Sequence, residues 1–388
     1  MKLLHTSDWH LGRVLHERSL LADQAVFLAQ LIDVLGRDPH DALLVAGDIF
    51  DRGIAPEEAV MCFSHFLRDL RAACPTLPVI VIAGNHDSAA RLAYGASVFA
   101  TAEIHIRAAT DAIGDPVRLR DAEGVEAEVW AVPFLWPGSL SVHEDGSATP
   151  MGTQVEALFE AVQIARARRS PRKDVVQVLM AHCFAVGGGV SDSERTLVGN
   201  ATQVATSLFD GFDYVALGHL HRPQRVTDHA WYSGSPLKYS FSEVGDSKAF
   251  LSVSLEPGKI PAVTRVPVVP PRDMAVLRGQ FRDLLENPVH LAVRDRYLRI
   301  ELDAPEPVAQ PMVLLRQRFP FLLDFRMPDP NIEGRGVGPR AVDPRDRADV
   351  EQDFLDFERR VRGDKPLPDG MLEAFRALRV IADKEAVQ

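Results

Sequence analysis

Five short runs carry side chains able to hold divalent cations: Asp8-Trp9-His10, Gly47-Asp48-Ile49-Phe50-Asp51, Gly84-Asn85-His86-Asp87, a lone His182, and Gly218-His219-Leu220-His221. Carboxylate, imidazole and amide-oxygen donors together suit manganese, iron or zinc better than a thiolate site would. Two such ions about 3.5–4 Å apart need several nitrogen and oxygen ligands and one bridging carboxylate, and a water held between them is a nucleophile at neutral pH. Taken singly the runs say little: D-x-H is common, G-D-x-x-D occurs in ordinary loops, and G-H-x-H also fits two surface histidines. Their conjunction, in order and each after an apolar segment, points to a two-metal phosphoesterase.

The segments that must position these residues are short and apolar. Residues 3–6, 42–46, 79–83, 175–181 and 214–217 read as buried strands bounded by turn residues. Residues 20–35 and 56–73 carry helical spacing, the second with Pro56 at its start and Glu57-Glu58 in its first turn. This alternation is an α/β pattern, and in a sheet whose strands run the same way the clusters would share one edge, where open α/β folds bind ligands. The glycines before Asp48, Asn85 and His219 are expected to let the backbone turn sharply there. Further on, strands are expected at 117–119, 128–133, 230–233 and 249–255, and a helix at 154–168, with a Pro/Gly/Ser-rich stretch at 137–152. A Pro-rich linker at 266–271 precedes a strand–helix–strand–helix–strand unit (274–277, 281–286, 297–302, 308–319, 321–327), and a second linker at 331–347 precedes two helices, 350–362 and 368–382.

The chain has 388 residues, 46% apolar and 25% charged, which suits a soluble globular protein of two or three domains. Its three scattered cysteines give neither a disulfide framework nor a cysteine zinc site and fit a reducing cytosol. The opening run is too short and polar for a signal peptide, and no stretch approaches the roughly 18 apolar residues of a membrane span. A cytoplasmic, non-membrane protein is expected. The net charge of −11 argues against a uniformly basic nucleic-acid surface. It does not exclude DNA as substrate, since bound divalent ions are the largest charges in such a site.

The series D-x-H, G-D-x-x-D, G-N-H-D, H, G-H-x-H resembles the calcineurin-like metallophosphoesterases. The runs 5–12 (HTSDWHLG), 190–195 (VSDSER), 212–224 (FDYVALGHLHRPQ) and 232–241 (YSGSPLKYSF) are similar, within that superfamily, to the bacterial SbcD nuclease subunits. The resemblance implies a β-sandwich flanked by helices over 1–268, a small α/β capping domain over 272–330, and a helical partner-binding tail over 348–388. It implies two divalent metal ions, with Mn²⁺ expected. Asp8, His10, Asp48 and His221 would hold one, and Asp48, Asn85, His182 and His219 the other. His86 would serve the leaving group as a general acid. Asp51 resembles the carboxylate that orients this histidine in related phosphatases, and it reads equally well as a loop cap.

Trp9 and Asp87 read as structural supports, and the other eight histidines as surface or packing residues. Arg13, Arg52, Arg195, Arg222 and Lys238 lie beside the motifs, as phosphate contacts or as locally paired side chains. The resemblance further implies DNA ends and hairpins as substrate, a homodimer through the nuclease domain, and an SbcC-like SMC-type ATPase docked on the C-terminal helices. Phe354, Leu355, Phe357, Val361, Met371, Leu372, Phe375, Leu378 and Ile381 give those helices an apolar side. The competing readings are a metallophosphoesterase for a non-DNA phosphate ester and a scaffold whose site has decayed.

Overall fold

The computed structural model describes residues 1–136, 140–142, 148–150, 153–193, 203–303 and 308–327, together with Met371, Leu372 and Phe375. In chain order, β1 (Lys2–Thr6), α1 (Leu21–Arg37), β2 (Ala42–Ala46), α2 (Glu57–Ala73), β3 (Val79–Ile82) and β4 (Ile104–Arg107) come first. Next are β5 (Val117–Arg120), β6 (Glu126–Val132), α3 (Gln154–Arg168), β7 (Val175–His182) and β8 (Tyr214–Gly218), then β9 (Gln224–Arg225), β10 (Ala230–Tyr232), β11 (Ala249–Ser254) and β12 (Ala262–Pro267). The last group is β13 (Met274–Gly279), α4 (Phe281–Glu286), β14 (Tyr297–Leu302), α5 (Pro311–Arg318) and β15 (Leu322–Arg326).

The large strands make two six-stranded sheets, ordered β12-β11-β1-β2-β3-β4 and β9-β10-β8-β7-β6-β5. β1 to β4 run parallel, as do β6, β7, β8 and β10. Alternate residues of a strand face opposite sides of its sheet, and both sides here are covered, which is why these strands read as unbroken apolar runs. In β2, Leu43 and Val45 pack toward Phe27, Leu31, Phe66 and Leu70 of α1 and α2. Its Leu44 and Ala46 pack between the sheets with Val178 and Met180 of β7. On the outer side of the second sheet, Leu158, Ala161 and Val162 of α3 close a third cluster. The result is a β-sandwich with helices on both faces, the mixed α/β class expected.

The clustered strand ends therefore do not belong to a single sheet. β1, β2 and β3 deliver theirs from one sheet and β7 and β8 from the other, and the two sets meet at the same end of the sandwich. Smaller departures also have local causes. Val266-Pro267, read as linker, closes the edge strand β12, where a proline's missing N–H costs no ladder bond. The Pro/Gly/Ser-rich stretch 137–152, given no element from the sequence, contains an antiparallel pair, Leu140–Val142 with Ala148–Pro150. The strand Ile104–Arg107 has no counterpart in the sequence reading; at four residues it is too short to show a period.

The unit after the Pro-rich segment is a three-stranded parallel sheet, β13-β14-β15, with Leu284 of α4 and Leu315 of α5 packed against Leu298 and Ile300 of β14. Its described residues belong to the same compact unit as the sandwich. Arg299 of β14 sets its guanidinium 4.5 Å from the Phe241 ring centroid, and the Tyr297 hydroxyl donates to Asp23 of α1 at 2.7 Å. Asp329–Gln388 is a separate unit, of which Met371, Leu372 and Phe375 are helical. The linker expected at 331–347, the helix at 350–362 and the rest of that at 368–382 lie outside the described residues, as do Arg195 and His143.

Candidate metal centre

The backbone first places these side chains at some expense. Asp8 (φ 54°), His10 (φ 47°), Asp48 (φ 51°) and His219 (φ 108°) all have positive φ, a conformation that costs an L-residue about 1–2 kcal/mol. Such strain persists only where surrounding bonds over-determine it. Here the amides of Asp8 and His10 donate to the carbonyls of Gly47 and Asp48, each at 3.0 Å, splicing the first two loops together. Gln24 of α1, buried, donates to the carbonyls of Trp9 (3.1 Å) and His10 (2.7 Å). Asp87 accepts from the amides of Ile49 (3.0 Å), Phe50 (2.9 Å) and Gly84 (2.9 Å), tying the second loop to the third. Trp9 is fully buried among Phe27, Phe63 and Phe66. Both act as the supports their surroundings suggested.

Two of the three glycines, Gly84 and Gly218, matter for a different reason than expected. Of the three, only Gly47 has positive φ. A Cβ on Gly84 would stand 2.1 Å from Asp48 Oδ1, and one on Gly218 1.9 Å from the Ala46 carbonyl oxygen and 2.8 Å from His182 Nδ1. These two are present because the strand ends approach too closely for any side chain.

The loops bring together all nine residues singled out from the sequence. Asp8, His10 and His221 present ligand atoms within 4.8 Å of one another, as do Asp8, Asp48 and His182, and again His10, Asp51 and His86. His10 Nε2 lies 3.1 Å from His221 Nε2 and 3.6 Å from Asp48 Oδ2. His182 Nε2 lies 3.5 Å from Asp48 Oδ2, so Asp48 stands between the two groups. Asn85 Oδ1 is 3.0 Å from both His182 Nε2 and His219 Nδ1. Asp8 accepts from Ser7 Oγ at 2.5 Å and from the His219 amide at 3.1 Å.

His86 Nδ1 donates to the main-chain carbonyl of Asp51 at 2.7 Å, and its amide donates to Asp48 Oδ1 at 2.8 Å. The Asp51 carboxylate accepts from Arg13 Nη1 at 2.8 Å and stands 3.6 Å from His10 Nδ1. Asp51 thus fixes His86 through its backbone, and its side chain lies between Arg13 and His10.

The rear nitrogens of three rings settle their tautomers, because a carbonyl can only accept. His182 Nδ1 donates to the Ala46 carbonyl at 2.8 Å, so in the neutral ring Nε2 carries the lone pair, directed at Asp48 and Asn85. His86 is fixed in the same way. His221 Nδ1 lies 2.7 Å from Ser193 Oγ, which donates to Glu243 at 2.5 Å, so this Nδ1 must also bear the proton.

Charge in the centre is strongly perturbed. Burial pushes the Asp8 carboxyl up to about 6 in spite of the His182 and His221 charges. Burial acts on Asp48 in the same direction, but His182, His10 and His86 outweigh it and hold that carboxyl well below its usual range. His182 is raised to about 9, the lowering effect of burial being overcome by Asp48 and Asp8. Burial and the His182 charge push His219 down to about 3, and burial drives His10 lower than an ordinary imidazole.

The Asp48 and Asp8 carboxylates outweigh the effect of burial at His182, which marks this as a pocket that favours positive charge. Facing imidazole lone pairs, buried carboxylates and an amide oxygen fit divalent cations by donor type and by second contacts.

Most remaining candidates are engaged locally. Arg222 pairs with Asp246 at 2.8 Å and Lys238 with Asp273 at 2.9 Å. Arg52 lies 3.8 Å from Asp51 with its side chain about half exposed. His5 is buried against the Tyr214 hydroxyl at 2.8 Å, while His40, His105, His229 and His290 pair near the surface with Ser252, Glu103, the Asp213 carbonyl and Asp283. Sequence reasoning missed Ser7, Gln24, Ser193, Tyr239, Glu243 and Lys248, all buried around the centre. Ser193 and Tyr239 stand in the runs 190–195 and 232–241, which were noted for resemblance alone, and Glu243 lies two residues beyond the second. A hydroxyl or a carboxylate in a loop carries no spacing signal for a role behind another side chain.

Residues 1–223 match the calcineurin-like phosphoesterase family. A dimetal phosphatase from Danio rerio superposes with a TM-score of 0.41 at 14% identity, over 70% of this chain and 97% of its own. The chain belongs to the calcineurin-like phosphoesterase family. It is a phosphoesterase with a site for divalent metal ions at the joined strand ends. Among the described residues, no helix is long and apolar enough to cross a membrane.

Proposed function

We propose that this phosphoesterase is a DNA nuclease subunit of the SbcD type, using two divalent ions, Mn²⁺ by expectation, to hydrolyse phosphodiesters at double-strand ends and hairpins. Asp8, His10, Asp48 and His221 would hold one ion, and Asp48, Asn85, His182 and His219 the other. Once bound, the ions supply Lewis acidity and a water ionised at neutral pH. His86, with Nδ1 committed to the Asp51 carbonyl, has Nε2 as its one exchangeable position for passing a proton to the leaving oxygen. Asp51 is a positioning residue for that ring. The unit over 272–330 serves as cap. The tail over 348–388 docks on an SbcC-like ATPase, and the chain pairs through its nuclease domain in the cytoplasm.

The observation that favours DNA over other phosphate esters is where the nuclease-like runs fall. Ser193 of the run 190–195 backs His221, while Ser233, Ser235 and Tyr239 of the run 232–241 close around Ser7, the His221 carbonyl and the His10 and His221 rings. The segments carrying the nuclease resemblance are thus part of how the centre is built. The purified chain with Mn²⁺ should cut linear and hairpin DNA, more so with the ATPase. Turnover of a phosphomonoester with no DNA cleavage in any combination would overturn the assignment in favour of a non-DNA ester.

A further inference from the structure

Behind His221, facing away from the centre, lies a buried polar cluster that the proposed chemistry leaves unused. Glu243 is fully buried and Lys248 6% exposed. Lys248 Nζ spends its three protons on three acceptors: Glu243 Oε2 at 2.5 Å, the His221 main-chain oxygen at 2.6 Å and Ser235 Oγ at 3.0 Å. Glu243 Oε1 accepts from Ser193 Oγ at 2.5 Å and from Ser191 Oγ at 3.2 Å. Because an ionised carboxylate only accepts, the single Ser193 proton points to Glu243, and Ser193 Oγ is left to accept from His221 Nδ1 at 2.7 Å. One lysine thus holds the backbone of His221 and the carboxylate that orients the hydroxyl on its ring.

A buried ion pair gains little as pure stability, since desolvating both charges offsets most of their attraction. Its geometry here has a directional consequence. It leaves one tautomer for His221, proton on Nδ1 and lone pair on Nε2, the atom 3.1 Å from His10 Nε2. The carboxylate is seated in turn from outside: Glu243 ends the turn Phe241–Glu243, and Phe241 lies under Arg299 of the capping unit.

We propose that Ser193, Glu243 and Lys248 are positioning residues for His221, setting its tautomer and ring orientation and thereby the affinity of one of the two metal positions, that shared by Asp8 and His10. The inference rests on the metal-site reading but not on the identity of the substrate. Losing an outer hydrogen-bond partner of a metal-bound histidine typically lowers affinity about 10- to 100-fold.

The test uses the full chain and Mn²⁺ alone. Equilibrium dialysis gives stoichiometry and affinity, and ¹⁵N spectra of metal-free, histidine-labelled protein report the His221 tautomer. Ser193→Ala should weaken one Mn²⁺ position 10- to 100-fold, leave the other unchanged, and shift the His221 ring nitrogens away from the Nδ1-protonated pattern. Ser193→Thr, which keeps the hydroxyl, should restore both readouts. Glu243→Gln should behave as Ser193→Ala does, and the serine variants carry the test if that substitution impairs folding. Unchanged affinity at both positions, or equal loss at both, overturns the inference. A wild-type chain that binds no second ion overturns the two-metal reading itself.

Discussion

Replacing Gly84 by alanine isolates what the close approach of the strand ends contributes. Gly84 does not have positive φ, so alanine meets no conformational penalty there and the effect is steric. The added Cβ would lie 2.1 Å from Asp48 Oδ1 and 2.4 Å from the Asp48 amide nitrogen, whereas ordinary contact begins near 3.4 Å. The loop bearing Asp48 must therefore retreat by about 1.0–1.3 Å. That motion breaks the 2.8 Å bond from the His86 amide to Asp48 Oδ1 and separates the carboxylate between the two ligand groups from His10 and His182.

Overpacking of this kind costs about 1–3 kcal/mol of stability, and a misplacement of about 1 Å at a catalytic group costs about 10²-fold in rate. Gly84→Ala should fold, melt earlier, and lose about two orders of magnitude in Mn²⁺-dependent hydrolysis of bis(p-nitrophenyl) phosphate. Gly36→Ala is the control: nothing stands within 4 Å of its added Cβ, and within a helix alanine is favoured by about 0.5–1 kcal/mol. That variant should be slightly stabilised and fully active. A Gly84→Ala protein with wild-type turnover and metal affinity would refute the claim that strand-end packing sets the position of Asp48.

His86→Gln should keep both metal positions by equilibrium dialysis while losing about 10²- to 10⁴-fold in turnover; normal turnover would remove His86 from the reaction. The metal-free protein should lose thermal stability as pH rises from 6.5 to about 9, because His182 is protonated more tightly folded than unfolded, so its contribution is complete below 6.5 and gone above about 9. A His182→Asn variant should show a flatter profile across that window, and an unchanged slope would dissociate the effect from this ring. Lys248→Met should destabilise by about 3–5 kcal/mol by leaving Glu243 charged and unpaired, whereas Glu243→Gln with Lys248→Met should recover much of that loss in urea unfolding.

Much of the site was legible because ligand chemistry restricts residue type. Few side chains serve hard or borderline divalent ions, and the strands that deliver them must be short, apolar and punctuated, so Asp8, His10, Asp48, Asn85, His86, His182, His219 and His221 stand out before any coordinates. The short edge strand Ile104–Arg107 and the pair within 137–152 did not, since runs of three or four residues show no period. The histidines outside the motifs could be set aside for want of neighbours in sequence, and the fold gives most of them ordinary partners.

What the sequence determined by itself is the inventory: an α/β chain, the residues able to bind metal, and the family whose order of motifs they follow. Only the tertiary structure decided that the motifs come from two facing sheets, that Gly84 and Gly218 are there for contact and not for turning, and that Asp51 holds His86 by its carbonyl. It alone revealed the support of Ser193, Glu243 and Lys248 behind His221. The physical reason is common to all of these. Each depends on the distance between atoms far apart along the chain, 211 residues for His10 and His221, and local composition and period contain no such distance.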